Sequence, residues 1–378
     1  MIRWFFKYGI VIFLFNTVLL SIEVTKNLGD IIFLIIMALH FTLLLLNPGV
    51  IKRIIFHKAF SFFLILNCLN LFYFLLFHSF NDLKALEYLL ARGVQFSIIS
   101  ISIYSHFEYY KTKFLDHLVY VISFIVLLSL FIDINLFSQR YSGIVWNPNM
   151  LASFTTIVFS ILFLKAKQKK RYELILLLLF LVVALSTGSR GVLLALALLL
   201  LFKYGFSYRN LSYVLLALLA GFIITNFQLD TSLNRFATQG LLNNRLLQYQ
   251  FAIESIANKM YIGYGLDKYS YIDKDLIPWF YKGGVIGAHN GYLAILTQYG
   301  VIFGSMVIFI IFRKSIQVVN WFKESIGVER VYLFIIIYAL VSSLYESLMT
   351  GINEFHTILF WFSIAFLSFL KFNQEYGD

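Results

Sequence analysis

Apolar runs of fifteen to twenty-five residues, almost free of charge, follow one another along most of this chain. Residues 31–46, for example, hold no Asp, Glu, Lys or Arg. A globular core cannot absorb so much apolar surface, whereas a hydrocarbon layer roughly 30 Å thick accepts about 20 such residues per helix. Composition agrees: of 378 residues, 60% are hydrophobic and 13% charged, against roughly 25% charged in soluble domains. The runs are continuous rather than alternating, which excludes a closed barrel of strands. The expected fold is an all-α integral membrane protein, a single polytopic domain over residues 1–378. About 12 transmembrane helices are predicted, near 4–22, 28–46, 54–78, 89–104, 117–134, 150–164, 172–187, 191–203, 211–226, 291–312, 331–346 and 352–370. The first run follows Arg3 and Lys7 like a signal peptide, but Ile22, Glu23 and Val24 offer no small-residue cleavage site, so a retained helix is expected.

Charge fixes an orientation. With a cytoplasmic N-terminus and alternating spans, 19 Lys and Arg fall in cytoplasmic segments, 5 in short outer segments and 6 in one long outer loop. Short loops rich in Lys and Arg stay inside. The net charge of +11 is therefore read as topology and not as affinity for nucleic acid. The same count divides residues 172–202, about 46 Å if one helix, into a hairpin with the tip Ser186–Gly191. Its two arms are short, so the tip is expected to be recessed, with Arg190 at the outer membrane edge. The one cysteine, Cys68, allows no intrachain disulfide.

Only residues 227–290 are polar for long, and they form the long extracytoplasmic loop. Within it Leu242, Leu246, Tyr249, Ile253, Ile256 and Met260 recur at helical spacing, which predicts an amphipathic helix opened by Asn243 or Asn244.

Three basic side chains on the outer side could carry chemistry. Arg190 sits at membrane depth, where an arginine either snorkels to lipid phosphate or serves a site. Ser186, Thr187, Gly188 and Ser189 beside it would let a ligand approach the backbone. Arg245, in the first turn of the loop helix, joins a guanidinium to free helix amides, a phosphate-binding combination as well as an ordinary solvated helix start. His289, among Gly283, Gly284, Gly287 and Gly291, is a possible general base or a structural histidine. No metal site is expected, because His289 has no ligand at metal spacing. Walker, dinucleotide and nucleophile-elbow patterns are missing too, so no cofactor is expected. Glu346 and Glu354 read as interfacial carboxylates.

The order of TGSRG at the hairpin tip, Arg245, IGYGLDKY and HNGYLAILTQYGVIFG resembles the superfamily of O-antigen ligases and Wzy-type O-antigen polymerases. WNPNMLASF, Trp146–Phe154, is similar to that family's Asn-Pro-Asn segment. The resemblance covers roughly residues 143–305. It implies a bundle like the C-type membrane glycosyltransferases, in a bacterial cell membrane with an extracytoplasmic site. It implies a polyprenyl-pyrophosphate glycan as donor, Arg190 and Arg245 on the pyrophosphate and His289 activating the acceptor hydroxyl, without a metal and with inversion. Ser189, Asn290, Tyr292, Asn147 and Asn149 are the supporting residues in those motifs. Gln298 stands where the family commonly has a glutamate. The implied partners are undecaprenyl-pyrophosphate-linked oligosaccharide, membrane lipids and other polysaccharide assembly proteins. A compact outer loop favours a polymerase of repeat units over a ligase. A transporter or flippase of the same lipid-linked glycan is the reading from another class, and it would want ionisable groups at mid-membrane and repeated halves.

Overall fold

The computed structural model describes residues 2–137, 140–165, 171–205, 207–213, 215, 243–279 and 287–376. Thirteen α-helices are named among them: α1 Ile2–Ser21, α2 Lys26–Leu46, α3 Pro48–Ile55, α4 Ser61–Phe77, α5 Leu83–Thr112, α6 Phe114–Ile132, α7 Pro148–Leu164, α8 Arg171–Ser186, α9 Arg190–Tyr204, α10 Asn243–Asn258, α11 Gly291–Phe322, α12 Glu329–Ser342 and α13 Phe355–Tyr376. The protein is an all-α integral membrane protein, with no strand among the described residues. Seven stretches among the described residues are long and apolar enough to cross a bilayer. Four shorter helices, α7, α8, α9 and α12, coincide with further expected spans. The predicted span at 211–226 falls largely outside the described residues, as does the segment leading to α10.

The apolar pattern explains the packing. From Thr357 to Leu370 α13 is buried on every side, as a helix that is hydrophobic all round must be. It forms the central post, touching α1, α5, α11 and α12. Outer helices instead turn Leu34, Phe124, Phe131 and Ile175 outward, where lipid replaces a protein partner.

Hydrogen bonds at both ends establish the α8–α9 hairpin. At one end Lys165, just past α7, reaches Glu173 near the start of α8 at 3.3 Å. Lys203 near the end of α9 donates to Phe163 O of α7 at 2.9 Å. At the other end the chain breaks after Ser186, and Gly188 takes φ 59°, a left-handed turn that glycine allows. Arg140 Nε donates to Thr187 O (3.2 Å) and its Nη2 to Asn149 Oδ1 (2.6 Å), tying the tip to the start of α7. The tip, the start of α7, the end of α1 and the turn between α12 and α13 thus gather at one end of the bundle.

The segment after α10 is stitched into a break in α11. Gly300 there has φ 72°. Tyr264 N donates to Thr297 O (2.9 Å), Gly265 N to Gln298 O (3.0 Å) and Val301 N to Met260 O (2.7 Å). Such close approach needs Gly263, whose added Cβ would lie 2.4 Å from Gly300 N. Buried Gln298 donates its amide to Leu266 O, so the side chain at this departure from the family pattern serves as an anchor.

α10 has two distinct faces: Leu246 and Ile253 are exposed, whereas Gln248, Phe251, Ala252 and Ser255 face inward. The inward face meets Ile272, Ile277, Ala288 and Ala294, which the periodicity of α10 alone could not reveal. At the end of a membrane bundle the exposed stripe is suited to the headgroup boundary.

Candidate active site

His289 lies two residues before α11 in the left-handed region, with φ 41°. Histidine tolerates that region better than most residues, but strain of this kind persists only where the surroundings enforce it. They do so on both sides. Ala288 N donates to Ser270 O (3.1 Å), and Gly291 N donates to Ser343 O (2.7 Å). Asn290 caps α11: its Oδ1 accepts from Tyr292 N and Leu293 N, both at 3.0 Å, while its Nδ2 donates to Leu344 O (2.9 Å). Gly291 permits the contact, since a Cβ there would lie 3.0 Å from Ser343 Cβ. Tyr292 donates to Leu340 O (2.7 Å). Asn290 and Tyr292 therefore hold the turn that carries His289.

Opposite His289 stands Glu346, in the turn after α12. Arg245 Nη2 lies 2.7 Å from Glu346 Oε1, and His289 Nδ1 lies 3.6 Å from Oε2. One carboxylate thus joins the two residues singled out in the loop. Packing around the carboxylate works to raise its pKa, but the His289 contact and the Arg245 charge outweigh burial and hold it below the usual carboxylate range. Arg245 also stacks its guanidinium over Tyr345, 5.6 Å from the ring centre. Its Nη1 is buried and has no hydrogen-bond partner among the described residues.

His289 and Glu346 open onto a cavity of about 490 Å³. Asn147, Asn149, Ser189 and Gly191 line the same cavity. Asn147 accepts from Asn149 N at 2.9 Å and caps α7. Arg190 starts α9 between two lining residues, and Tyr345 fills the space before Gly191, its hydroxyl 3.3 Å from where a Cβ would sit. The hairpin tip and Arg245 thus meet Tyr345 from two directions. Among the described residues no three His, Cys, Asp or Glu side chains are placed to hold a metal ion.

Deeper in the wall, Glu354 accepts from Tyr269 (2.7 Å) and Thr357 (3.0 Å). Burial raises its pKa above the usual carboxylate range. The turn bearing it is clamped by buried Arg92, which donates to the carbonyls of Thr350 and Gly351, and by Gln95, which donates to Ile352 O at 2.7 Å. Sequence reasoning treated Glu346 as interfacial. The available signal was a carboxylate at the membrane edge beside a long outer loop.

Two arginines beside a polar cavity can receive a phosphorylated group, and a histidine oriented by a carboxylate can accept a proton. The family model for O-antigen ligases matches residues 175–309, which include Arg190, Arg245 and His289. Over that stretch the chain is similar to the O-antigen ligases, which supports a place in the O-antigen ligase and polymerase superfamily. The match supports a function in that superfamily, whose members are glycosyltransferase-like enzymes acting on lipid-linked polysaccharide substrates. Glu346, Asn147 and Asn149 lie outside the matched O-antigen ligase segment and join it only in space. No curated protein matches the chain.

Proposed function

We propose that the protein is a bacterial membrane glycosyltransferase that polymerises polyprenyl-pyrophosphate-linked oligosaccharide repeat units of a surface polysaccharide. The observation that carries this reading is the Arg245–Glu346–His289 chain of contacts at the wall of a polar cavity shared with the hairpin tip. The acceptor hydroxyl gives its proton to His289 Nε2, the nitrogen left once Nδ1 faces Glu346. Its oxygen bonds to the anomeric carbon from the face opposite the pyrophosphate, the bond to the phosphate oxygen breaks, and the electron pair leaves on the pyrophosphate. Inversion follows from that approach. Glu346 orients the imidazole and stabilises its protonated form. At 3.6 Å the pair is longer than a hydrogen bond, and such contacts commonly tighten when substrate binds.

The leaving group gathers negative charge as the bond breaks. Arg245 meets it with Nη1, the arm not used on Glu346, and Arg190 meets it from the hairpin tip. Two guanidinium groups supply this stabilisation without a metal ion.

The cavity faces the extracytoplasmic side of the inner membrane in this reading, with both termini cytoplasmic. Lys52, Arg53, Lys58, Lys111 and Lys113 belong to turns or helix ends, and none of them lines the cavity, which is in keeping with positive-inside topology.

The description of the matched family favours a second reading, transfer of a finished glycan to an acceptor as a ligase. Membranes incubated with a lipid-linked repeat unit and examined by mass spectrometry separate the two. A ladder of repeats supports the polymerase, a single transfer to another acceptor supports the ligase, and no consumption of the donor defeats both.

A further inference from the structure

Below the polar cavity a second hollow of about 270 Å³ runs between α1 and the first half of α6. Val11, Leu14 and Val18 of α1 form one wall, and Leu118 and Val121 of α6 form the other. Phe355 lines both hollows. Helix α1 is shared as well: Thr17 borders the polar cavity, while Leu14 and Val18 border the apolar groove. From Trp4 to Val18 the groove follows about 21 Å of helix, a large part of a hydrocarbon layer of roughly 30 Å. Tyr109 and His117, 3.0 Å apart, stand at the far end.

We propose that this groove holds the polyprenyl tail of the donor, while the polar cavity receives the pyrophosphate and sugar. The proposal rests on the glycosyltransferase reading and adds where the lipid lies. A polyprenyl pyrophosphate has a long uncharged chain joined directly to a charged head. An elongated apolar groove that shares Phe355 and helix α1 with a polar cavity has the same division in the same order. Phe355 stands at the junction, where the last isoprene unit meets the phosphate. The groove carries no Asp, Glu, Lys or Arg, so nothing in its wall resists burial of hydrocarbon.

The test narrows the groove from its lipid-facing side with Val121→Trp, at a position 37% exposed that tolerates a larger side chain. Transfer is measured with an undecaprenyl-pyrophosphate repeat unit and with a farnesyl-pyrophosphate analogue carrying the same sugars. The variant should raise KM for the long donor by about tenfold or more, the loss expected when a few methylene groups leave an apolar site, and leave KM for the short donor unchanged. Equal effects on both donors, or none, overturn the proposal. A second measurement does not need turnover. A photoreactive benzophenone side chain at position 121 should crosslink to undecaprenyl pyrophosphate added without sugar, and unlabelled polyprenyl pyrophosphate should displace it. Crosslinks to phospholipid acyl chains alone, indifferent to that competitor, also overturn it. If the wild-type protein turns over neither donor but the polyprenyl crosslink forms, the glycosyltransferase reading fails and the groove stands.

Discussion

Arg245 and Glu346 are separated by 101 residues of chain, yet Nη2 of one lies 2.7 Å from Oε1 of the other. The pair joins α10 to the turn between α12 and α13, and the same carboxylate faces His289 at 3.6 Å. Glu346→Gln keeps the shape and removes the charge that orients and stabilises a protonated imidazole. Transfer by this variant is expected to fall by about 10²-fold, at the lower end of what positioned acid–base groups contribute. The loss should appear in kcat with KM nearly unchanged. Steady-state rates on lipid-linked donor check this, and a variant with wild-type kcat would remove Glu346 from the mechanism.

The same carboxylate gives a pH signature. Burial would raise its pKa, but His289 and Arg245 hold it lower than an unfolded glutamate. A carboxyl depressed on folding contributes stability that is complete above its unfolded pKa and is lost as pH falls through the folded value. The wild-type protein in detergent should therefore lose melting temperature as pH drops below the ordinary glutamate range. Glu346→Gln should start lower and lose less over that window. Parallel melting curves across the acid range would contradict the assignment.

His289 separates backbone strain from chemistry. Its φ of 41° is costly for a β-branched side chain and mild for asparagine. His289→Asn is expected to melt within a few degrees of the wild type and to be inactive in transfer. His289→Val should be inactive and also less stable, by about 1–3 kcal/mol. Thermal unfolding together with mass spectrometry of the product reads both effects. Activity in the asparagine variant would mean another group takes the proton.

How much of this was legible beforehand differs between elements. The helices could be read because lipid demands long apolar runs, and the hairpin tip because the Lys and Arg count divides residues 172–202 into two arms around Ser186–Gly191. His289 and Arg245 stood out as charged or titratable groups among glycines and a helix start. Glu346 did not, because its meaning comes from an arginine 101 residues away. Which face of α10 turns inward was hidden for a similar reason. A periodic stripe shows that a helix has two faces, but Ala288 and Ala294 decide which face is covered. The role of Gln298 was also hidden, since its partner is a backbone carbonyl, Leu266 O, which has no sequence signature.

Arg190 begins α9 between Ser189 and Gly191, both at the cavity wall. If it binds pyrophosphate through paired N–H donors, a lysine cannot replace it, because an ammonium offers no planar fork. Arg190→Lys should therefore lose transfer by about 10²-fold or more, as when one preorganised donor is removed from a developing anion. An Arg190 that only snorkels to lipid headgroups would be replaced by lysine without loss, so retained activity would exclude the pyrophosphate role.

Glu354 supplies the opposite pH test within the same wall. Burial raises its pKa, and the donated hydrogen bonds of Tyr269 and Thr357 offset that only in part. Between the unfolded pKa and the raised folded value, the native protein holds a proton that the unfolded chain has released. Its stability therefore falls as pH rises through that window. Glu354→Gln replaces the carboxyl with a neutral group of the same shape, whose one oxygen can still accept from Tyr269 while its NH2 donates to the Thr357 oxygen. The variant is expected to lose that downward slope and to match or exceed the wild-type melting temperature at neutral pH, with transfer retained. A large loss of stability at neutral pH would mean that Glu354 is held as a carboxylate, with buried Arg92 rather than protonation balancing its charge.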